Sequence, residues 1–477
     1  MLRWVAPAML GAVLAGCGAE PEQPLLRQAT GVKIGEVSDT TAIVWTRVTE
    51  RSERSSEGPV RRGRANRDKR ETDLDVEALE GSAPGAPGKV KLRYGTTPEL
   101  TNAIETHWKS VRAEDDYTYQ FHLKELQPAT QYYFESYTAD KTGELEHGAL
   151  TGSFRTAPPP QEYGDVTFTV ITGQAYKDAD DPDGFQVYPA MLRLEPSFIV
   201  PTGDSVYYDS DDPLVTNMDV ARYHWRRMYS YPKLVEFYRF VPGYWEKDDH
   251  DSYANDNWPG LERPYMGSFT YKQGCKVFHE QTPSPAKPYR TYRWGRGLQI
   301  WLTEGRDFRS PNDMPDGPDK TIWGAEQKAW LTSTLEASDA DWRVLISPTP
   351  IVGPDRENKA DNHANSAFHF EGQWFRTWAG KMLDQNFYIA CGDRHWQYHS
   401  VDPETGVEEY SSGPVSDAHA SGSPGEDPNY HRFHRQKGGF FSARTWVEAG
   451  ESKIALRLHA VDGSVVYEQI HSKPAHH

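Results

Sequence analysis

Cysteine is scarce in this chain, with three in 477 residues at positions 17, 275 and 391. That excludes a disulfide framework as the basis of the fold and leaves at most a single bridge between Cys275 and Cys391 in an oxidising compartment. Cys391 ends an apolar run and reads more simply as a buried small hydrophobe. Long apolar runs are short supply as well: the stretch Val5 to Ala15 falls well below the about 20 residues of a membrane-spanning helix. Basic charge is in deficit, 52 Lys and Arg against 69 Asp and Glu, for a formal charge of −17. A general nucleic-acid binder needs the opposite balance to neutralise phosphates, so no nucleic-acid-binding module is expected. Clustered Asp and His then become candidate metal ligands. The 15 Trp and 26 Tyr suit a large core or a substrate-facing surface, and the length calls for two or three domains.

The first residues have the layout of an export signal. Arg3 gives the positive start, Val5 to Ala15 the apolar core, and Leu14-Ala15-Gly16-Cys17 small residues before a cysteine. Leu-Ala-Gly-Cys resembles the bacterial lipobox, whose cysteine is lipidated and becomes the mature N-terminus. Residues 1–17 are thus expected to be a lipoprotein signal peptide with Cys17 as the lipidation site. Gly18 stands where an aspartate commonly retains such proteins at the inner membrane. The expected location is therefore the cell envelope, anchored by lipid in the outer membrane.

Residues 30–158 alternate in the β manner, as in Val32 to Val48, Lys89 to Thr97 and Thr130 to Asp140. Short strands between turn residues, closing in a proline linker at 157–160, predict a fibronectin-like β-sandwich. Its insertion 51–89 is charged, poor in aromatics and rich in Gly, Pro and Ser, a composition expected to stay disordered. The basic run Arg61 to Arg70 within it is offset by the acidic residues that follow. From residue 163 to 477 the pattern changes to apolar runs ending in polar clusters, with helical stretches between them. That is the mark of sheets covered by helices, in which chemistry gathers at strand carboxyl ends.

Three such clusters stand out: Gly203-Asp204-Ser205-Val206-Tyr207, Asp248-Asp249-His250-Asp251 and Gly392-Asp393-Arg394-His395. A lone strand-end aspartate is usually a turn former or a cap. Three in one domain, each beside further polar groups, match what two metal ions sharing one phosphoester require. In order and content the clusters resemble the calcineurin-like metallophosphoesterases and, within them, the alkaline phosphatase D family. The resemblance implies an α+β chain in which the β-sandwich precedes a four-layer α/β/β/α catalytic domain. It also implies hydrolysis of phosphomonoesters or phosphodiesters by a metal-activated water. Asp204 would bridge the metals, with Tyr207, Asp249, Asp393 and His395 as further ligands. His250, whose unperturbed pKa lies near the working range, would protonate the leaving oxygen. Arg306 and Arg309 occupy the family's arginine positions and are substrate-binding candidates, as is Asn255 after the second cluster. Two divalent or trivalent ions are expected, with calcium, iron, magnesium and zinc all open. A phosphate ester and, through the lipid anchor, a membrane are the expected partners, with no obligate protein partner.

Two departures qualify the resemblance. The first block of the family carries a cysteine or aspartate ligand where this chain reads Thr172-Gly173-Gln174. Gln174 or Asp178 is then left to supply an oxygen, or that position stays weak. A later loop, 355–365, offers His363 as the local candidate for a histidine ligand. These departures keep two other readings open. One is the same fold acting on a sulfate or a glycan-linked phosphate. The other is a non-catalytic surface lipoprotein that binds a polyanion.

Overall fold

A computed structural model describes residues 27–475 apart from 70, 72, 384 and 385, so Cys17 and the export signal lie outside the described residues. In the front part, strand Lys89–Gly95 buries every second residue, Val90, Leu92 and Tyr94, which is the period of a half-covered sheet. It pairs with Gln131–Ala139, and that with Leu150–Arg155. A second sheet holds Lys33–Gly35, Ala42–Arg47 and Thr118–Leu123. Val44 and Phe121 from the one sheet and Leu92, Phe134 and Phe154 from the other share a single core, so the sheets pack face to face.

The remainder is built from two larger sheets. One has five strands in the order Phe198–Pro201, Val166–Ile171, Phe440–Glu448, Glu451–His459 and Val465–Pro474. The other has seven, in the order Arg290–Trp294, Leu298–Leu302, Trp342–Ser347, Phe387–Cys391, Glu408–Ser412, Gln397–Val401 and His431–Arg435. Side-chain alternation sorts their residues into layers. Phe168, Val170, Ile300, Leu302, Val344, Ile346 and Ala390 point between the sheets into one core. Ile171 and Ile199 face outward against helices Val187–Leu192, Met218–Tyr229 and Pro232–Tyr238. Trp301, Leu345 and Ile389 face the other way, against helices Gly324–Ala337 and His369–Met382. The result is the expected α/β/β/α stack, and the fold as a whole is α+β. Among the described residues no helix is long and apolar enough to cross a membrane. Cys391 ends its strand fully buried, and neither it nor Cys275 is bridged.

The front sandwich is locked to the rest by a buried ionic knot. Asp116 accepts from Arg47 Nη2 at 3.0 Å, Arg226 Nε at 2.9 Å and Gln281 Nε2 at 2.7 Å. Burial by itself raises a carboxyl pKa, but Arg226 and Arg47 hold that of Asp116 well below the usual range.

The described residues of the insertion 51–89 differ from the disorder expected of them. Val76 and Leu79, in and just after a short 3-10 helix, are buried in the core beneath helix Met218–Tyr229. Ala65 N donates to Ser210 O at 2.9 Å, and Asp212 N to Gly63 O at 3.0 Å. Arg61 donates to Asp212 Oδ1 at 2.9 Å, and Arg67 to Asp209 Oδ2 at 2.8 Å. Composition averaged over the segment hides both sources of order. Its few apolar residues sit together at one end, and its arginines face an acidic loop of the larger domain.

Candidate metal centre

The three clusters converge because the strands before the first and third belong to the two facing sheets, and the segment before the second runs beside the first strand through the parallel bridges Ile199–Gly243 and Thr202–Glu246. Asp204 lies just past strand Phe198–Pro201, and Asp393 just past Phe387–Cys391. Gly203 permits the approach: a Cβ there would stand 2.4 Å from Asp248 Cβ and 2.5 Å from Asp248 N. Any side chain at position 203 would collide with the second cluster.

Asp204, Asp249 and His250 form one set of donors within 4.8 Å of one another, and Asp204, Asp248 and Asp393 form a second. Asp204 belongs to both, as a bridging carboxylate must. It is 1 % exposed, and its Oδ1 has no hydrogen-bond partner, like Oδ2 of the fully buried Asp248. Buried carboxylate oxygens without a donor are costly unless a cation answers them. Burial pushes Asp204 well above the usual carboxylate range, with His250 opposing and Asp249, Asp248 and Asp251 adding to the rise. Asp248 is raised to about 7 by burial, against the pull of Arg306. Protein cations thus leave the cluster short of positive charge, and all-oxygen and imidazole donors suit metal ions.

Around the carboxylates, Tyr207 Oη donates to Asp204 Oδ2 at 3.1 Å and lies 3.3 Å from His395 Nε2. His250 packs its ring on Tyr207 at 4.4 Å between centroids. Its Nδ1 donates to the fully buried Asp209 Oδ1 at 2.5 Å, which leaves Nε2 for the cluster. Burial alone lowers a histidine pKa, yet Asp209, Asp249 and Asp204 raise that of His250 well above the ordinary value. Asp251, the last residue of the second cluster, serves the backbone. It accepts from Asp248 N at 2.7 Å and Ser205 N at 3.2 Å.

The other candidates fall in different places. Arg306 is fully buried behind the carboxylates, donating from Nε to Asp248 Oδ1 at 2.6 Å and from Nη1 to Asn257 O at 3.2 Å. Its Nη2 lies 3.8 Å from Asp249. Arg309 donates from Nε to Asn312 Oδ1 at 2.9 Å and from Nη2 to Asp361 O. Burial brings its guanidinium down to about 9. Asn255 is exposed and tied in through its backbone N to Asp209 Oδ2 at 3.2 Å. His363 stands apart from the donor sets: it is buried over Trp323 at 4.3 Å and bonded to Glu371 Oε2 at 3.1 Å. Its loop docks on helix His369–Met382, so the ring fills the core beside that helix. A third acidic set, Asp249, Asp256 and Asp361, already holds Lys359 Nζ at 2.5 Å from Asp256 and 3.4 Å from Asp361.

Reading the sequence assigned no role to Asp209 or to His419. Asp209 lies two residues beyond the first cluster. His419 follows strand Glu408–Ser412, which runs parallel to Phe387–Cys391. Its loop therefore opens at the same edge, and its Nε2 is 2.9 Å from Tyr207 Oη.

Comparison with known proteins shows the family and the fold. The family model described as PhoD-like phosphatase matches residues 168–437, and that of the PhoD-like phosphatase N-terminal domain matches residues 17–158. A solved structure described as "Structure of PhoD" is similar with a TM-score of 0.70 at 14 % identity, covering 95 % of this chain and 90 % of that one. Purple acid phosphatase PPD1 from yellow lupin (Lupinus luteus) seeds is similar with a TM-score of 0.60 at 10 % identity, covering 92 % and 73 %. No curated protein matches.

Proposed function

The chain belongs to the PhoD-like phosphatase family, a phosphoesterase family, and from that premise we propose that it hydrolyses phosphomonoesters or phosphodiesters at the Asp204 cluster. Metal dependence goes with the family, and the donor sets fit it. Asp204, Asp249, Asp248 and Asp393, with Tyr207 and His395, would hold the ions. When bound, such ions supply Lewis acidity and lower the pKa of water.

The protein's own groups divide the remaining work. Asp209 holds His250 by Nδ1, so that Nε2 faces the cluster and donates a proton to the departing oxygen. Arg306 pins Asp248 through Nε and thereby orients a carboxylate; its burial supports positioning more than substrate contact. Arg67, from the insertion, steadies Asp209 from outside. The single observation that carries this reading is Asp204, shared between two donor sets and buried with an oxygen that no protein group answers.

The test is hydrolysis of nitrophenyl phosphate and of its bis-ester by the purified protein, with Asp204→Asn and a chelator as controls. Turnover of either substrate that both controls abolish supports the reading. No turnover of either ester by metal-loaded protein refutes it. The envelope location rests on the Leu14–Cys17 segment: a Cys17→Ser variant is expected to leave the membrane fraction, and equal partition of both forms would overturn the anchor.

A further inference from the structure

We propose that His419, oriented by Asp178, is the metal ligand that takes the place of the side chain missing at Gly173, an inference that rests on the metal-dependent reading above. Gly173 sits at the end of strand Val166–Ile171 with φ +62°. A Cβ there would lie 3.0 Å from Pro414 Cβ and 3.3 Å from Cδ2 of both His395 and His419. The room a ligand at position 173 would occupy is thus taken by two imidazoles. One of them, His419, arrives from a loop far along the chain that is bridged to Thr172 through Pro414.

The atoms facing this point are donors. Tyr207 Oη lies 2.9 Å from His419 Nε2, 3.3 Å from His395 Nε2 and 3.1 Å from Asp204 Oδ2, and His395 Nε2 is 3.9 Å from Asp204 Oδ2. The two imidazole rings are 4.1 Å apart. His419 Nδ1 lies 2.7 Å from Asp178 Oδ2. A carboxylate there requires the proton on Nδ1 and leaves the Nε2 lone pair facing Tyr207 and His395. This carboxylate–imidazole pairing is how ligating histidines are commonly held. The Asp204 oxygen at this point is Oδ2, on a buried carboxylate whose other oxygen, Oδ1, has no hydrogen-bond partner. The neighbours at Gly173 do not serve instead. Gln174 Oε1 is taken by the hydroxyl of Tyr188, and Asp178 reaches the centre only through His419. Two imidazoles, a phenolate and a carboxylate favour a transition ion over calcium, which prefers oxygen throughout.

The test uses the full mature protein, stripped of metal and dialysed against ferric ion and, separately, zinc. Bound metal is counted by mass spectrometry, and the visible absorption of iron-bound tyrosinate is recorded. Wild type is expected to bind and, with iron, to colour. His419→Gln and His419→Ala should lose that ion or bind it at least about 100-fold more weakly, and Asp178→Asn about 10- to 100-fold more weakly. Gly173→Asp in the His419→Ala background, where one of the two crowding rings is gone, should recover part of the binding. Circular dichroism establishes that each variant is folded, and Asp178→Asn, outside the donor set, carries the test if the His419 variants do not fold. Affinity and colour within threefold of wild type in folded His419→Gln or Asp178→Asn would overturn the assignment and leave the function standing. A wild type that binds neither ion and hydrolyses neither ester would overturn the function itself.

Discussion

Replacing Asp209 with asparagine keeps the shape of the residue but removes the charge of a fully buried carboxylate that faces His250 Nδ1 at 2.5 Å. A hydrogen bond to a charged group is worth about 1.5–3 kcal/mol. That bond holds the proton on His250, so without it the fraction of His250 carrying the proton to be donated, and the rate with it, falls by up to about one to two powers of ten. Lost orientation of the imidazole adds to that, within the range of about 10²–10⁴ typical of positioned acid catalysis. Arg67 touches the same carboxylate, but its side chain is 47 % exposed. A solvent-screened pair contributes at most about 1 kcal/mol, so Arg67→Ala should cost about fivefold or less. The assay is kcat on nitrophenyl phosphate, with bound metal counted in parallel. An Asp209→Asn enzyme within threefold of wild type, or an Arg67→Ala enzyme hurt more than Asp209→Asn, would refute the relay from insertion to carboxylate to histidine.

Asp116→Asn leaves Arg47 and Arg226 facing one another without their shared carboxylate and should lower stability by about 3–5 kcal/mol, read from urea midpoints. Because the folded pKa of Asp116 is depressed, this advantage of wild type is full above the unfolded value of about 4. It is lost as pH falls below that value, so a gap that widens in acid would contradict the knot. Leu79→Ala should cost about 2–5 kcal/mol in local stability and open the arginines of 61–67 to trypsin; wild type cleaved there equally fast would argue against docking of the insertion. Chelation should lower the melting temperature reversibly, since an ion at 100 times its Kd contributes about 2.7 kcal/mol. No shift on stripping and reloading would separate the carboxylate cluster from metal binding.

Some of this was legible without coordinates because it depends on neighbours in the chain. The alternation of residues 89–95, the apolar runs ending in Asp204 and Asp393, and the cluster at 248–251 are local patterns; they point to sheets covered by helices, and they carry the family resemblance that implied the four-layer stack and the donor roles. Other features depend on which distant segments meet. Asp248 and Asp204 touch because Gly203 has no side chain, and His419 stands at Gly173 because parallel strands end at one edge. His363 is withdrawn from the donors because its loop docks on a helix, and the insertion orders because an acidic loop and an apolar pocket await it. Periodicity reports the solvent on each face of an element. Only tertiary packing decides which elements share a face, and therefore which of several plausible histidines reaches the metal centre.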